Sequence, residues 1–266
     1  MKSPTITVVG GLGRMGALMA RLFTEAGHEV HIVDTRAGHV SWKKAARNDL
    51  VLLAVPIPAM EDVIKAIGPF TREDGVVVDI ASIKDAPVRT MLKHCRGEVI
   101  GSHPLCGPHV SSLQGQLVFI HPARSTYWFD WYKSFLLTHQ ANVVEIDPLR
   151  HDRLMARVQV LRHVFLLCFG RSLMRLDFDL EGDMPLSGPW FTQLIGMLSH
   201  QLQQDPELYA DLASHNPAAE EVFNEFVNAA DEVTGSFGLG DKSKIVELIN
   251  EVTSYIRSVD PARNAA

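Results

Sequence analysis

The sequence predicts an α/β fold, a doubly wound parallel sheet over residues 1–147 followed by an all-α region over residues 148–266. Three observations carry that reading. Short β-branched runs alternate with helical stretches through the first half. A glycine-rich turn joins the first strand to the first helix. After about Asp147 the strand-like runs stop.

Strands are expected at 5–11, 29–34, 50–56, 76–82, 98–102, 116–122 and 142–147. Several are near-continuous apolar runs such as LVLLAVP, the pattern of a strand covered on both faces. Between the first two lies RMGALMARLFTEAGH, with apolar residues at helical spacing and Gly27 placed as a C-cap. Strand, helix and strand within about thirty residues make a βαβ unit, whose repetition gives a doubly wound sheet. From Pro148 to Ser258 the patterns are long, amphipathic and helical. The stretch 152–176 is apolar over so much of its circumference that it calls for burial in a bundle or against a second subunit. The tail VDPARNAA reads as frayed.

Composition narrows the function. With 46% hydrophobic and 21% charged residues the chain reads as an ordinary soluble domain. A formal charge of −6 speaks against a nucleic-acid partner, since no surplus of Lys and Arg is present to neutralise phosphates. No apolar run reaches the roughly 18–20 residues of a membrane span, and since MKSPTITVVGG lacks a long apolar stretch with a cleavage site no secretory signal is expected. Three scattered cysteines without CxxC spacing fit a reducing, cytoplasmic setting. Twelve histidines without metal-ligand spacing give no reason to expect a metal.

Gly11-Leu12-Gly13-Arg14-Met15-Gly16 fits GxGxxG in its full context: it follows a strand, opens a helix and precedes Asp34 at the end of the next strand. This is the Rossmann arrangement, in which the glycines let the backbone approach a pyrophosphate seated on the helix N-terminus. Asp34 would accept hydrogen bonds from the adenosine ribose and repel a 2′-phosphate, which selects NAD; Arg36 is the one hint toward NADP. Val55-Pro56 ends the third strand at the sheet's carboxyl edge, as a cofactor contact or as a simple strand stop.

GSHPLCGPH, from Gly101 to His109, places His103 after a strand at the same edge. Pro104 and Pro108 stiffen the expected turn and Gly107 frees its backbone, and a fixed imidazole is what a general base requires. Ser82 ends the fourth strand nearby, either to bond a polar group of a substrate or to cap the helix beginning near Asp85.

The motifs VVGGLGRMG, VVVDIASIKDAPVRTML, VIGSHPLCGP, VQVLRHV and QDPELYADL stand in the order and spacing of the prephenate dehydrogenases. The chain resembles most the dehydrogenase half of bifunctional chorismate mutase–prephenate dehydrogenases, from about Thr5 to about Ile256. No counterpart of the mutase helices precedes Thr5, so a monofunctional chain is expected. The resemblance implies a Rossmann domain, a helical domain that forms a homodimer, and NAD-linked oxidative decarboxylation of a cyclohexadienyl dicarboxylate. His103 matches the family's catalytic histidine, Ser82 the serine that helps hold the C4 substituent, and His163 a helical-domain histidine facing the site. On the residues alone His163 reads as a core histidine.

Two departures bear on the substrate. Where the family carries a carboxylate-binding arginine this chain has Thr192, and a position usually acidic is His109. A lost charge-assisted contact costs about 1.5–3 kcal/mol. Either Arg153, Arg157 or Arg162 compensates, with Arg162 beside His163 the substrate contact expected, or the substrate differs. In 4-amino-4-deoxyprephenate a protonated C4 amine reduces the net negative charge and so the demand for cations. That substrate is the one expected, with prephenate as the alternative. Rival readings are another Rossmann enzyme with a helical domain, such as a 3-hydroxyacid dehydrogenase or imine reductase, and a non-catalytic nucleotide-binding regulator; residues 150–175 lack the lysine that a 3-hydroxyacid dehydrogenase uses.

Overall fold

A computed structural model describes residues 3–38, 40–107 and 110–259, the side chain of residue 259 excepted. Pro108, His109 and the tail from Asp260 onward therefore lie outside the described residues.

All seven expected strands form. β1 (Thr5–Val9) leads through the glycine turn into α1 (Arg14–Glu25), then β2 (Glu29–Val33), the single turn α2 (Trp42–Ala45), β3 (Leu50–Leu53) and α3 (Ile57–Ile67). β4 (Val76–Asp79), α4 (Asp85–His94), β5 (Glu98–Leu105), β6 (Leu117–Arg124), α5 (Tyr127–Thr138) and β7 (Asn142–Glu145) complete one sheet in the order β2-β1-β3-β4-β5-β6-β7. Gly27 sits just past α1 with φ +85°, the left-handed position that glycine fills without strain.

Strand alternation sorts the apolar residues between two faces. Leu50 and Leu52 of β3 join Ile6 and Val8 of β1 under Leu18 and Phe23 of α1 and Tyr132 and Leu136 of α5. Val51 and Leu53 turn the other way, with Val77 and Val99, to meet Met60 and Ile64 of α3 and Met91 of α4. Each such large side chain contributes about 1.5–3 kcal/mol on burial. The helices thus clamp the sheet from both sides and fix where its carboxyl edge opens.

The sheet is not wholly parallel. β5 and β6 pair antiparallel, while β6 and β7 are parallel. The cause is the connection: among the described residues no helix lies between Leu105 and Leu117, and a parallel return needs a crossover. The same pairing corrects the expected turn at His103. β5 runs on through Leu105, and His103 is a strand residue opposite Phe119. Its rigidity comes from the ladder. The backbone freedom expected of Gly107 is not used either, since that glycine is not among those with positive φ.

The chain divides into two compact units at Ala219/Glu220. The residue 147/148 junction read from the sequence is where strands give way to helices. In the first unit α6 (Pro148–Met155), a π turn (Ala156–Val160), α7 (Leu161–Arg175), α8 (Gly188–Leu202) and α9 (Pro206–His215) follow the sheet. The expected single helix over 152–176 is therefore broken by a π turn. Most of the apolar circumference of α7 is exposed, including Leu167 and Met174; within the helix only His163 and Leu166 are buried. α10 (Ala219–Gly238) and α11 (Lys242–Val259) make up the second unit, with Val252 and Ile256 exposed on α11.

Candidate active site

The carboxyl edge of the sheet and helices α7, α8 and α9 enclose a cavity of about 1040 Å³ within the first unit. At one end lies the glycine turn. Gly10 stands at φ +79° with its N–H on Val33 O (2.7 Å), and its carbonyl accepts from Gly13 N (2.9 Å). A Cβ on Gly10 would come within 2.3 Å of Ala54 O, one on Gly11 within 2.7 Å of Ile32, and one on Gly16 within 2.3 Å of Gly10 O. Gly11 and Gly16 are thus packing glycines that do not line the cavity, whereas Leu12, Gly13, Arg14, Met15, Val55 and Pro56 do. No side chain caps α1 and no acidic residue occupies its first turn. That open N-terminus, behind a turn whose one side chain between Gly10 and Gly13 is Leu12, fits the pyrophosphate of a dinucleotide.

Asp34 closes this end. Its buried carboxylate accepts from Leu12 N (3.1 Å) and from the backbone and guanidinium of Arg36, which form a bidentate pair with it. The Arg36 guanidinium holds its carboxyl well below the usual range.

Deeper in, His103 and Ser82 both line the cavity. Ser82 makes no hydrogen bond to another described residue, and the capping role left open for it is taken by another group. The N–H groups of Lys84 and Asp85, at the start of α4, donate to the two oxygens of Asp152 (2.7 and 3.0 Å). Asp152 Oδ1 also receives His151 Nδ1 at 2.8 Å, and His151 Nε2 lies 2.9 Å from His103 Nδ1. The carboxylate sets the protons along this chain: His151 donates from Nδ1, accepts at Nε2, and His103 donates from Nδ1. His103 Nε2 is left with a free lone pair. Burial, reinforced by His151 and by the charge of Lys84, holds His103 well below the ordinary imidazole value. It is a neutral acceptor at physiological pH.

Behind the histidines Lys84 Nζ forms a fully buried ion pair with Asp79. Burial pushes Asp79 up to about 6 and Lys84 down.

The helical wall contributes His163 and Arg162. Arg162 Nη2 donates to His163 Nε2 (2.8 Å), and burial, with that cation second, lowers His163 to about 4. Tyr209 meets the His163 ring edge-on at 4.1 Å. Of the candidate compensating arginines, Arg153 and Arg157 are exposed and outside the lining; Arg162 is in it. Thr192 is corrected as well. It stands exposed one turn into α8, its hydroxyl bonded to Gly188 O (3.0 Å), and does not line the cavity, because the face of α8 that does so carries Met197, His200 and Gln201. His109 lies outside the described residues.

Gly10, His151, Asp152 and His200 were not singled out from the sequence. His151 and Asp152 had a local signal: with Pro148 and Met155 they form a buried i, i+3, i+4, i+7 stripe on α6, and a polar pair on such a stripe needs partners.

Residues 19–145 match the family profile described as prephenate dehydrogenase, nucleotide-binding domain, and residues 147–251 the one described as prephenate dehydrogenase, dimerization domain. A probable arogenate/prephenate dehydrogenase of Methanocaldococcus jannaschii is 31% identical over 273 residues, covering 96% of this chain and 61% of that protein. The T-protein of Enterobacter agglomerans is 28% identical (94% and 67% covered). A 4-amino-4-deoxyprephenate dehydrogenase of Streptomyces pristinaespiralis is 25% identical (80% and 77% covered). The chain thus spans about three fifths to two thirds of the length of the first two. Prephenate dehydrogenase of A. aeolicus, solved with hydroxyphenyl propionate and NAD+, shares the fold, with a TM-score of 0.74 at 19% identity over 98% of this chain and 99% of that one.

Proposed function

The chain belongs to the prephenate dehydrogenase family, and from that premise we propose that it is an NAD-dependent dehydrogenase that oxidatively decarboxylates a cyclohexadienyl dicarboxylate. The observation that carries this is the free Nε2 of His103, presented by the Asp152–His151 relay into the cavity that the glycine turn also lines. NAD, when bound, accepts the hydride that leaves C4 of the ring. Gly13 and the open N-terminus of α1 would seat its pyrophosphate and Asp34 its adenosine ribose. His103 takes the proton of the C4 substituent through Nε2, and the relay spreads the resulting positive charge toward Asp152. Ser82, with no bond elsewhere, is free to hold the same substituent. Arg162 supplies positive charge for a carboxylate and fixes the His163 ring. Loss of the ring carboxylate as carbon dioxide then makes the ring aromatic, so no covalent nucleophile is required.

The substrate we infer is 4-amino-4-deoxyprephenate, giving 4-aminophenylpyruvate, a precursor suited to antibiotic biosynthesis. An imidazole held below its usual pKa is a weak base, and it suits a C4 ammonium, with an acidity like that of lysine at roughly 10, better than a C4 hydroxyl with one near water's at roughly 16. The helical wall supports the same choice: it carries Asp205, Glu207 and Asp211 and a single arginine, Arg162, which disfavours a substrate with uncompensated negative charge. Prephenate itself, oxidised in tyrosine biosynthesis, is the second reading, favoured by the higher identity of the M. jannaschii and E. agglomerans relatives. Residues 1–147 would form the nucleotide domain and residues 148–266 the substrate and dimerisation domain of a cytoplasmic homodimer, a reading supported by the profile matches on either side of residue 146 and by the exposed apolar faces of α7 and α11. Steady-state rates with each acid and NAD test the substrate. A kcat/KM for the amine at least about tenfold above that for prephenate is expected, tenfold being about 1.4 kcal/mol of discrimination; the reverse order assigns prephenate.

A further inference from the structure

We propose that Lys84 is a positioning residue for the oxidation: its side chain and its own N–H join the loop that carries Ser82 to the relay that carries His103, so that the C4 substituent meets both groups at once. This rests on the reaction proposed above. The loop is anchored along its length. Ile80 N donates to Leu53 O (3.1 Å) and Ala81 N to Asp79 Oδ1 (3.1 Å). Ile83 is buried against Ile57 of α3 and Leu212 of α9. Lys84 is held twice, by its Nζ on Asp79 Oδ1 and by its N–H on Asp152 Oδ1 (2.7 Å). Half-buried Ser82, between the two ends of this tie, is the loop residue left without such an anchor.

Stability does not account for the lysine. A buried ion pair is often worth no more than a well-packed apolar pair of similar volume. This one is also incomplete, since Asp79 Oδ2 has no hydrogen-bond partner among the described residues. Lys84 places its cation at the N-terminus of α4, where the helix dipole opposes it. What the cation does face is the relay. The titratable groups around it are Asp79 of β4, His103 of β5, and His151 and Asp152 of α6. Tyr132 of α5, on which Asp79 also bears, is kept un-ionised by burial. Behind burial and His151, the Lys84 charge lowers His103, and behind burial it lowers His151 as well. The tie thus fixes the loop of Ser82 and opposes protonation of the base.

Asp79→Asn/Lys84→Met removes both charges at nearly constant volume and leaves no bare carboxylate in the core, so the fold should survive. Imidazole titration by NMR, on the full chain without coenzyme or ring substrate, should show the His103 pKa raised above its wild-type value. Lys84→Met alone, which leaves Asp79 unpaired, should shift it the same way where it folds. Steady-state rates at saturating NAD should give a kcat roughly ten- to a hundredfold below wild type, the worth of a charge-assisted contact. The drop should be smaller in a Ser82→Ala background, because the two changes act through one group. A folded double variant in which His103 titrates as in the wild type overturns the inference and leaves the proposed activity standing. So does a drop in kcat that is the same with and without Ser82. Wild-type protein that oxidises neither acid overturns the reaction and this inference together.

Discussion

Burying a carboxylate beside an imidazole is costly unless each supplies what the other lacks, and Asp152 does this for two elements at once. It satisfies the first N–H groups of α4 and orients His151, which orients His103. Asp152→Asn keeps the volume but removes the charge and sets an amide against the N–H of Asp85. We expect kcat to fall roughly ten- to a hundredfold, the worth of a charge-assisted bond, with KM little changed. The pH profile separates positioning from mere packing. In the wild type kcat/KM should hold level on the acid side until well below 6.5, because burial keeps His103 neutral there. In Asp152→Asn the acid limb should move lower still, since the carboxylate favours the charged form of His151. An unmoved limb would make Asp152 a structural residue only.

At the scale of elements, legibility follows the distance over which the information is carried. The glycine turn, the strand before it and Gly27 after it are local, and the residues present in GGLGRMG are sufficient to read them. Gly10 went unread because its constraint is Ala54 O, just past the end of β3, which no spacing reveals. Gly10→Ala meets that carbonyl at 2.3 Å and must also adopt φ +79°, two strains of about 1–3 kcal/mol each. Its melting temperature should drop by several degrees, with Gly107→Ala, whose Cβ would meet none of the described residues within 4 Å, as the control. His103 was placed on the correct edge but given the wrong support. The antiparallel partner that fixes it, Phe119, comes from a strand whose direction follows from a connection that, among its described residues, holds no helix between Leu105 and Leu117. The relay lay further out of reach: His103 and His151 are 48 residues apart, and Lys84 and Asp152 are 68. Thr192 was expected at the substrate from the resemblance alone, which does not say which face of α8 turns to the cavity.

For the molecule as a whole, three buried histidines, His103, His151 and His163, all have pKa values lowered chiefly by burial. Their neutral forms are the native ones. As pH falls through 6.5 the unfolded chain takes up protons that the folded chain refuses, so stability decreases; for His163 the loss levels off near its folded value of about 4. Asp79, raised to about 6, acts in the opposite direction, since its burial cost is relieved once it is protonated. His28 and His121, also lowered by burial, add to these three, and five imidazoles against one carboxyl predict a melting temperature lower at pH 5 than at pH 7.5, measurable by calorimetry. A flat or rising curve would mean that these imidazoles are not held neutral.

That neutrality is the centre of the account, and the rate of NADH formation by His103→Asn at saturating coenzyme probes it most directly. Removing the base should lower kcat by two to four orders of magnitude, roughly 10²- to 10⁴-fold, while NAD still binds. A variant that turns over within about tenfold of the wild type, less than general-base catalysis contributes, would show that some other group takes the proton.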